Sequence, residues 1–178
     1  EASASLDDIH WDIEVINEGG RDMVRIRAST VYHEPELQRV HVTVGVPDVD
    51  GIRVKTRLGS VEVREMTGPI DIETTRGDVE IVTLRPLNDP VSMVTTDGDI
   101  EFRVPPGSSG RFDCYTGDGR IISSAPDARM QVQGRSNDQI LDAILNDGTN
   151  PVFLRTNDGT IRVIVKKNPY EQSSLLLY

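Results

Sequence analysis

The chain has 178 residues, enough for one domain with a sizeable core, and with 37% apolar, 27% charged and 4% aromatic residues it has an ordered, soluble profile whose core must rest on Val, Ile and Leu. With 19 basic against 29 acidic residues and a formal charge of −10, it would repel a phosphate backbone, which argues against nucleic-acid binding. The lone Cys114 excludes an intrachain disulfide framework and a cysteine-based zinc site.

No stretch reaches the roughly 18 apolar residues of a membrane span, and the tail Ser173 to Tyr178 is too short for one. The chain starts at Glu1 without Met or a signal-like apolar run, as expected if an export signal or anchor lay upstream.

Residues 1–47 read as a β-hairpin cap region. Trp11, Ile13 and Val15 alternate before Gly19-Gly20, and Val24, Ile26 and Ala28 alternate after it, which is a hairpin signal. A third alternating run, Val40, Val42, Val44 and Val46, leads through Pro47 to Asp48. Terminal units of repeat folds are atypical because they shield an open edge.

Residues 48–167 carry an internal repeat, Thr-x-x-Gly-x-Φ-x-Φ, with Φ apolar. Its copies are Thr56, Gly59, Val61, Val63; Thr74, Gly77, Val79, Ile81; Thr95, Gly98, Ile100, Phe102; Thr116, Gly119, Ile121 with Ser123 breaking the pattern; and Thr156, Gly159, Ile161, Val163. The threonines are 18, 21, 21 and 40 residues apart. Before each runs a second alternating element: Ile52 and Val54, Ile70 and Ile72, Val91 and Met93, Phe112 and Cys114, Val152 and Leu154. Three of these elements are expected to open with Pro69, Pro90 and Pro151, since a strand's first residue tolerates a missing N–H.

Each copy therefore predicts strand, corner, strand and return loop, totalling about 20 residues, with one face inward. A single copy cannot bury its face alone, so the copies should stack as an all-β, single-stranded solenoid. In the 40-residue interval, 136–147 reads either as a degenerate rung with Ser136 at the threonine position or as a short helix capped by Ser136-Asn137-Asp138-Gln139. The rung is preferred because flanking copies would then stack without a gap. Residues 168–178 form a tail, and Lys166-Lys167-Asn168-Pro169 is expected to close the far end.

From Val40 to Val165 the chain resembles the bacterial adhesin-type domain of unknown function, a β-solenoid repeat family; the resemblance is carried by 74–81, Thr74 to Ile81, by 95–102, Thr95 to Phe102, and by 155–163, Arg155 to Val163. It implies a right-handed β-helix-like coil and a secreted, lipid-anchored or membrane-tethered setting, with no catalytic residues.

The acidic corners Asp97, Asp99 and Asp118 could together hold Ca²⁺, but Asp beside Gly is ordinary turn chemistry and the nonapeptide calcium repeat is absent, so the turn reading is preferred. The pairs Asp71 with Glu73, Asp78 with Glu80 and Asp99 with Glu101 invite a glycosidase reading, yet they lie on the outward phase of regular strands. His10, His33 and His41 have no ligand spacing. Cys114 falls at an inward position as a small buried hydrophobe, and Trp11 is expected in the core rather than as a sugar platform.

The sequence thus points to a non-catalytic extracytoplasmic surface or scaffold module without a cofactor. Its partner would be a protein or glycan, or another copy joined through solenoid ends. The alternative is a carbohydrate-active β-helix enzyme, a glycoside hydrolase or polysaccharide lyase.

Overall fold

A computed structural model describes residues 9–18, 21–30, 41–46 and 49–171. The chain divides into two units, Glu1–Gly45 and Val46–Tyr178. In the first unit, β1 (Ile9–Glu18) and β2 (Arg21–Thr30) form the expected antiparallel hairpin, with Trp11 opposite Ala28, Ile13 opposite Ile26 and Val15 opposite Val24. The alternation thus gives one apolar face, but Trp11 is 72% exposed, which overturns its expected place in a core. A two-stranded ribbon has no second layer of its own to bury a face against. The expected third run fares similarly: residues 41–46 are not strand, and Val42, Val44 and Val46 are exposed.

The second unit is all-β among its described residues. The strands preceding the corners are β3 (Asp50–Lys55), β5 (Thr67–Glu73), β7 (Val91–Val94), β9 (Gly110–Asp118) and β13 (Pro151–Asp158). Those after them are β4 (Val61–Arg64), β6 (Val79–Val82), β8 (Ile100–Val104), β10 (Ile121–Ser124) and β14 (Ile161–Val165). The first set enters a seven-stranded sheet with β11 (Met130–Ser136) and β12 (Ile140–Leu145), and the second makes a five-stranded parallel sheet. Between the sheets lie registered rows of apolar side chains, such as Val54, Ile72, Met93, Leu154 and Cys114, which period-two alternation turns inward. Phe102 and Phe112 meet edge to face across the core, centroids 5.7 Å apart.

Spatial order departs from chain order. The sheets run β11-β12-β9-β13-β7-β5-β3 and β10-β14-β8-β6-β4, so the last copy in sequence stands between the third and the fourth. The rung expected between the fourth and last copies is therefore absent: those copies pair directly, and the last copy also pairs with the third. Residues 136–147 are neither a helix nor a parallel rung: β12 runs antiparallel to both β9 and β11, and the hairpin ends the stack beyond β9. Asn137 Oδ1 does accept from the Gln139 and Ile140 N–H groups, both at 2.8 Å, as a helix cap would. Leu141, Ala143 and Leu145 then take the buried face with strand periodicity.

Ser123, which broke the repeat, lies exposed on β10, an edge strand with no strand beyond it in its own sheet. Pro69 sits inside β5 rather than at its start; the β3–β5 register slips between Asp50 and Ile52, so the proline meets a bulge. Pro90 directly precedes β7 and Pro151 opens β13.

Residues 166–171 do not close an end, and the rest of the expected tail, 172–178, lies outside the described residues. The Lys167 N–H donates to Asp127 at 3.4 Å, Arg103 to the Pro169 carbonyl at 3.2 Å, and the Tyr170 hydroxyl to Glu65 at 2.6 Å. The segment 166–171 therefore runs lengthways as a strap across rungs. Burial, then the hydrogen bond to Glu65, push the Tyr170 phenol up to about 12.

Candidate functional site

The repeated corner residues form two ladders along the stack. Thr95 Oγ1 donates to Gly77 O at 3.1 Å, Thr156 to Gly98 O at 3.0 Å and Thr116 to Gly159 O at 2.8 Å, with Thr74 to Gly59 O longer at 3.5 Å. Thr56, in the first rung, turns back to Leu58 O at 3.1 Å. Each threonine from Thr74 onward is thus a buried hydroxyl satisfied by the neighbouring rung. The glycines let those rungs approach: Gly77 has φ +142°, and a Cβ there would collide with the Gly59 carbonyl. The same collision with a neighbouring rung awaits a Cβ at Gly98, Gly159 or Gly119.

One residue after Gly59, Gly77, Gly98 and Gly159 runs the second ladder. Ser60 Oγ accepts from the Asp78 N–H at 3.2 Å, Asp78 Oδ1 from the Asp99 N–H at 2.9 Å, and Asp99 Oδ1 from the Thr160 N–H at 2.8 Å. Asp99 Oδ2 accepts from Arg162 at 2.9 Å. Burial opposes the Asp99 charge, but the Thr160 N–H and the Arg162 guanidinium outweigh it and hold the carboxyl below its usual range. Asp97 and Asp118 are exposed. Among the described residues no three His, Cys, Asp or Glu side chains converge to hold a metal. His10 and His41 are exposed, and His33 lies outside the described residues.

Several outward carboxylates meet cations on their own or neighbouring strands. Asp71 pairs with Arg53 at 3.1 Å, Glu73 with Lys55 at 2.7 Å, Arg155 reaches both Asp113 oxygens at 3.0 Å, and Arg103 lies between Glu80 and Glu101. Of the acid pairs singled out in the sequence, Asp71, Glu73, Glu80, Asp99 and Glu101 are thus ion-paired, while Asp78 accepts the Asp99 N–H. Cys114 is fully buried, and burial pushes its thiol up, away from thiolate chemistry.

Sequence reasoning missed a patch on the outer face of the seven-stranded sheet. There Tyr115 stands opposite both Arg155 and Ile140, and Asp113 opposite both Phe153 and Asp142. Tyr115 is 42% and Phe153 40% exposed, with Arg155 over the Phe153 ring at 5.7 Å. A shallow depression of about 330 Å³ beside them is lined by Arg111, Asp113, Arg135, Ile140, Leu141 and Asp142. Finding the patch required knowing that the last copy stands beside the fourth, since Phe153 and Asp113 become neighbours only in that order.

Two sheets built from stacked strand–corner–strand units define an all-β, solenoid-like repeat protein. The chain belongs to the Toastrack DUF4097 family, whose model matches residues 48–164. No curated protein and no solved structure matches it.

Proposed function

We propose that the chain is a non-catalytic interaction or scaffold module of the bacterial cell surface or envelope, held outside the cytoplasm and offering its sheet faces to a protein or glycan. The observation that supports this reading is the pairing of outward carboxylates with Arg and Lys, from Asp71 with Arg53 to Asp113 with Arg155. Glycoside cleavage needs two carboxyls about one bond with one pKa raised, whereas Asp99 has its carboxyl held down by the Thr160 N–H and Arg162. We read the coil as right-handed from the general preference of parallel crossovers. Rungs of about 20 residues accord with corner pairings of Leu58 to Arg76 and Arg76 to Asp97.

A second reading, a carbohydrate-active β-helix enzyme, draws on one observation: Asp113 and Asp142 stand opposite each other and line one depression. A glycan and cell-surface binding screen that also monitors polysaccharide cleavage separates the two. Saturable binding without turnover is expected; cleavage would replace the first reading with the second.

A further inference from the structure

The depression on the outer sheet face gathers groups that the ion-pair ladders leave unused. Arg111 on β9 and Arg135 on β11 line it, both exposed. Among the described residues neither guanidinium has a hydrogen-bond or ion-pair partner, unlike those of Arg53, Arg155 and Arg162. Asp113 is taken by Arg155 through both oxygens, so Asp142 is the one carboxylate of the lining left to oppose two free guanidinium groups. A chain of net charge −10 thus holds a local cationic excess where exposed Tyr115 and Phe153 flank it.

We propose that this face binds an acidic glycan through an oxyanion, carboxylate or phosphate, carried on a sugar ring. A guanidinium presents a planar fork of donors matched to such an oxyanion, and two unpaired forks at one depression leave that role open. The exposed rings supply flat apolar surface for the C–H face of a sugar. Asp142 supplies an acceptor for a sugar hydroxyl. The depression is shallow, which suits a chain lying across the sheet rather than an enclosed small molecule. The overall negative charge does not forbid this, because at physiological salt distant charges are screened beyond about 8 Å while the arginines act in contact.

This inference rests on the interaction-module reading and narrows its partner. The test is an oligosaccharide array of uronic-acid, phosphate-bearing and neutral chains, probed with the full chain and with an Arg111→Gln/Arg135→Gln variant, each well also assayed for cleavage. An Arg53→Gln variant serves as the control for general charge loss, and thermal melts check that all variants fold. The expected result is salt-sensitive binding to acidic chains, lowered at least about tenfold by the double substitution and little by Arg53→Gln. The uronic-acid and phosphate arms tell which oxyanion is read. Binding of neutral chains unaffected by the double substitution, or no binding to any acidic chain, would overturn the proposal while leaving the module reading in place. Cleavage would overturn the module reading itself.

Discussion

The Thr116 hydroxyl donates to the Gly159 carbonyl at 2.8 Å across 43 residues of sequence, and this bond marks the seat of the last rung inside the stack. In a solenoid stacked in chain order, losing the last repeat trims an end and leaves the rest paired. Here, ending the chain before Pro151 would remove β13 and β14 and leave both neighbours of the inserted rung with unpaired strand edges and an open core. Such a truncation should lose cooperative unfolding by circular dichroism altogether. Retention of a sharp, only slightly lowered transition would contradict the insertion.

The threonine ladder should be graded by position. Thr156→Val removes the hydroxyl bond to Gly98 at nearly constant volume and should cost about 1 kcal/mol in urea unfolding. Thr56→Val, whose hydroxyl bonds only within its own corner, should stay within about 0.5 kcal/mol. Equal costs at both sites would mean that the bond between rungs contributes nothing.

The glycines separate backbone conformation from crowding. Gly59 has φ +122° with nothing within 4 Å of a built Cβ, so Gly59→Ala should cost on the order of 1–2 kcal/mol from strain alone. Gly77→Ala adds a collision with backbone and should cost about 3 kcal/mol or more. Comparable losses would show that the rungs can move apart.

Asp99 gives the stack an acid-sensitive joint. Its carboxyl is held below its unfolded value, so its contribution is present above that value and fades as pH falls through the folded one. The stability difference between the chain and Asp99→Asn should be largest near neutrality and shrink on acidification. A constant difference across that range would remove Asp99 from the account.

Much of the fold was legible because a corner copied five times fixes both strands around it, and the inward rows follow from alternation alone. Rung order was not, since parallel pairing depends on which copy stands beside which and the copies are too alike to choose. The segment 140–145 was ambiguous because Ile140 and Ile144 are apolar on the outer face as well, which blurs period two into an apolar run. Trp11 misled for the opposite reason: its alternation is real, but alternation does not say whether a second layer exists.

Native-state amide hydrogen exchange tests the interleaved stack most directly. Protection should follow spatial rather than chain order, so the amides of Phe153 to Arg155 and Ile161 to Val163, on strands paired along both edges, should exchange only by near-global unfolding and more slowly than those of Ile121 to Ser124 on the edge strand β10. Early exchange of 151–165 while 110–124 stays protected would place the last rung at an end and contradict the account.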